Sequence, residues 1–236
     1  MVKKVAVFGA GRMGSVVAGQ LPSDVEKLVI DNHAEAAEKL AASIGGKGTA
    51  DPHAAADADV VALVLPAPVV SIVAKELGPI LKPGAIVLNM ATKGTIEEET
   101  KASYPQIHYV DAKIIGHADS MKLGAPCFVV VKTEDDAILE AAQYVLQGYR
   151  KVVKGNADLV PLISSIGSTE GIRAAIRCRQ LLKEYDIPKE WEDIVIYTVC
   201  AGTARAYVED NMGEFAKALA EKLEKEVEAE LSGGKD

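Results

Sequence analysis

Val5-Ala6-Val7-Phe8-Gly9-Ala10-Gly11-Arg12-Met13-Gly14 decides how this chain is read. Four apolar residues run into Gly-x-Gly-x-x-Gly, and the apolar residues that follow (Met13, Val16, Val17, Leu21) fall at helical spacing. The order is strand, glycine turn, helix. In such a turn Gly9 permits the tight bend. Gly11 lets backbone N–H groups approach a pyrophosphate, and Gly14 lets the helix pack close to the strand. The helix start then offers unpaired N–H groups and the positive end of its dipole to an anion. The next strand, residues 25–30, ends at Asp31, 22 residues after Gly9. A lone glycine motif is a weak signal; this full context makes it specific for a dinucleotide.

Asp31 addresses which dinucleotide binds. A carboxylate at this position accepts hydrogen bonds from ribose hydroxyls and repels a 2′-phosphate. Neither Asn32 nor His33 supplies an arginine to grip such a phosphate. NAD is therefore the expected cofactor, with NADP kept open by Arg12 and His33 near the adenosine end. Two further turns qualify as cofactor walls, because ligands of open α/β sheets sit beyond the carboxyl ends of the strands. They are Leu65-Pro66-Ala67-Pro68 and Met90-Ala91-Thr92-Lys93-Gly94. The prolines suit a stiff, ligand-facing turn rather than a helix interior. The expected cofactor-binding residues are Gly9, Gly11, Arg12, Met13, Gly14, Asp31, Leu65, Pro66, Ala67 and Thr92.

Outward from the glycine turn, strand and helix patterns alternate. Helices are expected over 34–42, 69–81 and 135–147, with the second stopped by Lys82-Pro83-Gly84. Strands are expected over 59–65, 85–88, 107–110 and 128–131. The nearly continuous apolar run at 59–65 is what a strand covered on both faces shows. This alternation predicts a Rossmann-type, doubly wound parallel sheet over residues 1–155. Beyond Gly155-Asn156 the pattern is helical: 158–185, then 188–208 after Pro188, then a charged amphipathic helix over 215–231, with a frayed tail at 232–236. Residues 156–236 are expected to form a small all-α domain for substrate binding and dimerisation. About 80 residues of helix with wide apolar stripes do not easily make their own core, so the stripes are expected to be buried on the first domain or on a second subunit, and a homodimer through these helices is the favoured expectation.

Composition narrows the function class. The chain has 236 residues, 49% hydrophobic and 25% charged, with a net charge of −8. Such a surface repels phosphate backbones, and no local basic patch offsets it, so no nucleic-acid partner is expected. No uninterrupted apolar run is long enough for a membrane span. The N-terminal stretch lacks the cleavage site of a signal peptide. Cys127, Cys178 and Cys200 are far apart in sequence and odd in number, which fits reduced thiols and a cytoplasmic location. His33, His53, His108 and His117 form no metal-ligand spacing, and no metal is expected.

With these motifs in place, residues 5–94 resemble the coenzyme domain of the 6-phosphogluconate-dehydrogenase-like oxidoreductases. Asn89-Met90-Ala91-Thr92-Lys93-Gly94 and Gly116-His117-Ala118-Asp119-Ser120-Met121 are similar to segments of prephenate dehydrogenases. That resemblance implies that His117 assists at a substrate hydroxyl and Thr92 helps to orient it. Asn89 stands in place of that family's acidic residue, and no proline follows His117. The C-terminal third resembles pyrroline-5-carboxylate reductases through Ser165-Ile166-Gly167-Ser168-Thr169-Glu170-Gly171, Ile187-Pro188 and Thr198-Val199-Cys200-Ala201-Gly202-Thr203-Ala204-Arg205. Leu65-Pro66 replaces that family's Lys-Pro, and Glu170 stands where it has proline.

The resemblance implies hydride transfer between a nicotinamide and a small-molecule substrate, a carboxylated imine or hydroxy compound. Pyrroline-5-carboxylate reduction is the leading reading. A prephenate-type dehydrogenase and a non-catalytic dinucleotide-binding sensor are the alternatives. His117 is the candidate acid/base, because imidazole titrates near neutrality. Lys93 is a candidate for binding a substrate carboxylate or donating a proton. Ser168 and Thr169 are candidates for hydrogen bonding to an imine, carboxylate or hydroxyl. Arg173 and Arg177, one helical turn apart, form either an anion clamp or ion pairs.

Overall fold

The structure, a computed structural model, describes residues 2–233. Strands β1 (Lys4–Phe8), β2 (Glu26–Ile30), β3 (Lys47–Thr49), β4 (Val60–Leu63), β5 (Ile86–Asn89), β6 (His108–Ile115), β7 (Phe128–Lys132) and β8 (Lys151–Lys154) form one sheet. Their order is β3-β2-β1-β4-β5-β6-β7-β8. The chain starts in the middle of the sheet, builds outward to β3, then returns to β1's other side with β4. That reversal is the switch point of a doubly wound fold. Helices α1 (Arg12–Gly19), α2 (Ala34–Ile44), α3 (Ala67–Leu77), α4 (Glu98–Ser103), α5 (Ala118–Lys122) and α6 (Asp136–Val145) join the strands.

The period-two alternation of the strands divides the core into two layers. Val5, Val7, Val60 and Ala62 pack with Val16 and Val17 of α1, Ala37 and Ala41 of α2, and Ala142 of α6. Ala6, Phe8, Val61 and Leu63 face the other way and pack with Val70, Ala74 and Leu77 of α3. Every residue of β4 is fully buried, which explains why no alternation is visible in that stretch.

Several expectations are corrected. The helix expected over 69–81 starts at Ala67 and ends at Leu77, so Pro68 lies inside its first turn and Pro66 caps it. First-turn N–H groups have no intrahelical acceptor, so the proline ring costs nothing there. Gly78-Pro79, not Lys82-Pro83-Gly84, ends this helix. The strands β3 and β8 and the short helices α4 and α5 were not legible from hydrophobic period. The strand expected at 107–110 extends to Ile115. The sheet is parallel except where β7 runs antiparallel to β6. A five-residue helix, α5, joins these two strands. At about 1.5 Å per residue it is too short to carry the chain back along β6, so the strand returns antiparallel.

The chain divides into two compact units, Met1–Ser164 and Ser165–Asp236. The C-terminal part is helical: α7 (Val160–Leu182), α8 (Lys189–Ile194), a π-helical stretch (Val195–Cys200), α9 (Ala201–Val208) and α10 (Glu214–Gly233). The expected frayed tail at 232–236 is corrected in part: Ser232 and Gly233 continue α10, and its Ser232 hydroxyl donates to the Glu228 carbonyl. Residues 234–236 of that tail lie outside the described residues.

Candidate cofactor and substrate site

Sheet register brings the site together. Phe8 of β1 pairs with Leu63 of β4, Leu63 with Asn89 of β5, and Asn89 with Asp111 of β6. The turns after β1, β4 and β5 therefore leave the sheet at one level. Two of the three glycines in the first turn are fixed by the protein itself. Gly9 has φ +104°, and a Cβ there would stand 2.4 Å from the Val64 carbonyl oxygen. A Cβ on Gly14 would stand 1.8 Å from the Gly9 carbonyl oxygen. Gly11 caps α1 and has ordinary backbone angles, and a Cβ there would meet nothing within 4 Å, so nothing within the protein requires glycine at 11. No side chain caps α1, so the N–H groups of its first turn have no side-chain acceptor.

Asp31 is held beside this turn. Its carboxylate accepts the Ala10 N–H at 2.7 Å and the His33 N–H at 2.9 Å. Burial pushes its pKa up, but the hydrogen bonds from Ala10 and His33 outweigh burial, and the group titrates below its ordinary value. It is a fixed negative charge at neutral pH.

Two adjoining clefts share Gly11, Val64, Leu65 and Pro66. One adds Gly9, Asp31, Asn32, His33 and Pro52. The other adds Arg12, Met13, Gly14, Met90, Ala91, Thr92, Gly116, His117 and Ala118. Of the candidate residues, Gly9, Gly11, Arg12, Met13, Gly14, Asp31, Leu65, Pro66, Thr92 and His117 line one cleft or both. Ala67 and Lys93 line neither. Lys93 is exposed. Ser168 and Thr169 lie exposed on α7 in the second unit. His117 is exposed at the start of α5, just beyond the end of β6. An exposed ion pair, Arg12 to Asp119 at 3.7 Å, links the glycine turn to α5.

A buried polar cluster beneath the turn after β5 carried no recognised sequence signal. The Lys113 ammonium, 4% exposed, donates to the carbonyl oxygens of Ala91 at 2.6 Å and Gly94 at 2.8 Å. It also pairs with Asp111 at 3.1 Å. The Asn89 amide donates to Gly94 O at 2.8 Å and to Asp111 at 2.7 Å, and its oxygen accepts the Ala91 N–H at 3.3 Å. Burial lowers the Lys113 pKa, opposed by the Asp111 carboxylate. The only available hint was a lysine at a buried register position of a strand.

Residues 4–155 match the NAD binding domain of 6-phosphogluconate dehydrogenase. The chain belongs to this family. Members of the 6-phosphogluconate dehydrogenase-like family are NAD(P)-dependent oxidoreductases, and this chain carries their NAD-binding domain. No curated protein matches the sequence. Among solved structures, a pyrroline-5-carboxylate reductase from Coxiella burnetii aligns with a TM-score of 0.72 at 16% identity, over 99% of this chain and 92% of that one. A prephenate dehydrogenase from A. aeolicus, in complex with hydroxyphenyl propionate and NAD+, aligns at 0.63 and 18%, over 97% and 99%. A Mycobacterium tuberculosis 3-hydroxyisobutyrate dehydrogenase aligns at 0.62 and 21%, over 83% and 70%. At these identities the likeness is one of fold. Among the described residues no helix is long and apolar enough to cross a membrane.

Proposed function

We propose that this chain is an oxidoreductase acting on a small carboxylated imine or hydroxy compound, in the manner of pyrroline-5-carboxylate reductases. The observation that carries the reading is the pair of adjoining clefts at the switch point. One holds the fixed Asp31 carboxylate for the adenosine ribose; the other holds His117 and Thr92 for the reacting half. NAD is preferred, because a 2′-phosphate next to Asp31 meets a charge that its hydrogen bonds keep ionised. Bound nicotinamide supplies or accepts the hydride. The chain's residues bind and orient: the α1 N-terminus neutralises the diphosphate, Asp31 takes the ribose hydroxyls, and His117 transfers the proton at the substrate nitrogen or oxygen. Ser168 and Thr169 are assigned substrate hydrogen bonds on the resemblance of their segment, and Lys93 a carboxylate contact at the rim.

A second reading is oxidation of a substrate hydroxyl, as in prephenate dehydrogenases. Its support is that His117 and Thr92 share one cleft. We also infer a homodimer. Leu162, Ile166, Ile172 and Ile176 of α7 and Trp191 of α8 are all more than half exposed, and such a row of apolar side chains calls for a covering partner. The three free thiols support a reducing, cytoplasmic compartment.

The test is NADH titration followed by turnover with cyclic imines and hydroxy acids. His117→Ala is expected to lower kcat by about 100- to 10,000-fold, with NADH affinity within a factor of about two of the parent. Saturable binding without turnover on either substrate class would instead make the protein a dinucleotide sensor. Absence of saturable binding would overturn the reading.

A further inference from the structure

We propose that Asn89, Asp111 and Lys113 are positioning residues that lock the 91–94 turn so that the Thr92 N–H faces the cleft as a hydrogen-bond donor to the nicotinamide half of the nucleotide. The inference rests on the dinucleotide reading above and extends it to residues that touch no ligand. The C=O and N–H of a trans peptide point in opposite directions. The Ala91 carbonyl points down onto the buried Lys113 ammonium at 2.6 Å. The N–H of the same peptide, that of Thr92, is therefore directed away from the lysine. Thr92 lines the cleft that also holds Gly14 and His117. Among the described residues the Thr92 N–H donates to no protein acceptor.

Hydrogen bonds also hold the turn on either side of this peptide. The Gly94 carbonyl is held by both Lys113 and Asn89, and the Ala91 N–H by the Asn89 oxygen. Asp111 accepts from both donors, which fixes their orientation and balances the lysine charge. The half of the nucleotide concerned follows from the clefts. Asp31 marks the adenosine side, and the Thr92 cleft lies on the other side of the shared residues Gly11 and Pro66. The cluster also explains Asn89. An aspartate there would set a second carboxylate against Asp111 and the Gly94 carbonyl, where the amide now donates to both.

The test separates positioning from plain packing by using two variants. Lys113→Met keeps an unbranched apolar stem but removes the ammonium and leaves Asp111 without its cation, so it is expected to lower both the melting temperature and NADH affinity. The double variant Asp111→Asn/Lys113→Met removes both charges. It is expected to recover most of the melting temperature while its NADH dissociation constant stays raised about ten-fold, the loss of one well-made hydrogen bond. Recovery of NADH affinity together with stability would overturn the inference and leave the dinucleotide reading standing. A parent protein that binds no NADH would overturn both.

Discussion

Gly11 and Gly14 respond differently to the same added methyl group. At Gly14 a Cβ would stand 1.8 Å from a backbone oxygen that cannot move without opening the turn. Gly14→Ala is expected to destabilise the fold by about 1–3 kcal/mol or more, the range of core overpacking, readable as a fall in melting temperature. At Gly11 the methyl meets only open space, so Gly11→Ala should melt with the parent and yet bind NADH at least about ten-fold more weakly, since it intrudes on the place proposed for the diphosphate. Equal NADH affinity for Gly11→Ala and the parent would place the diphosphate elsewhere. Asp31 carries a pH signature. Its folded pKa lies below the unfolded value, so between the two the unfolded chain binds more protons. Its contribution to stability is complete above the unfolded value of about 3.9 and is lost as pH falls through the folded one. Below about pH 4 the parent's melting temperature should fall more steeply than that of Asp31→Asn. The same variant should narrow the preference for NAD over NADP in paired titrations.

Long elements with a clear period were legible in the sequence; short ones were not. The glycine turn announced α1 because its spacing reports backbone sterics that hold wherever a strand meets a phosphate-binding helix. The two-sided burial of β4 showed as a run of apolar residues. Three-residue β3 and five-residue α5 have no room for a period to register. The start of α3 was misplaced because Pro66 and Pro68 read as a turn, while a helix's first turn accepts proline without loss. The Asn89–Asp111–Lys113 cluster was invisible for another reason. Its members come from two strands and act on a third segment, and only the register of β5 on β6 places Asn89 against Asp111. Lys93, singled out by its position in the turn, is exposed; the buried cation under that turn is Lys113.

At the scale of the whole molecule, the two compact units carry different surfaces. Residues 4–155, the NAD-binding domain, bury two full layers of apolar side chains on their sheet. The second unit leaves Ile172, Ile176, Trp191 and Ile194 more than half exposed. Light scattering behind size exclusion is expected to give twice the mass of one chain at micromolar protein. Ile176→Glu should shift that mass toward the monomer or into aggregates, since a charge is strongly unfavourable at an apolar face of the proposed dimer. A parent that runs as a monomer would remove the dimer and its assignment to these helices.

Local chemistry was enough to determine the dinucleotide fold and its acidic partner from the sequence. A glycine forced by a positive φ or a close approach, and an acid at the next strand's end, act over distances that a short stretch of chain spans. Tertiary structure alone decided which residues stand beside one another beneath the site: that Asn89 meets Asp111 across two strands, and that Lys113 reaches two carbonyls of a turn 19 and 22 residues away. Those meetings depend on strand register, and register is settled by the packing of both sheet faces at once, which no single segment encodes.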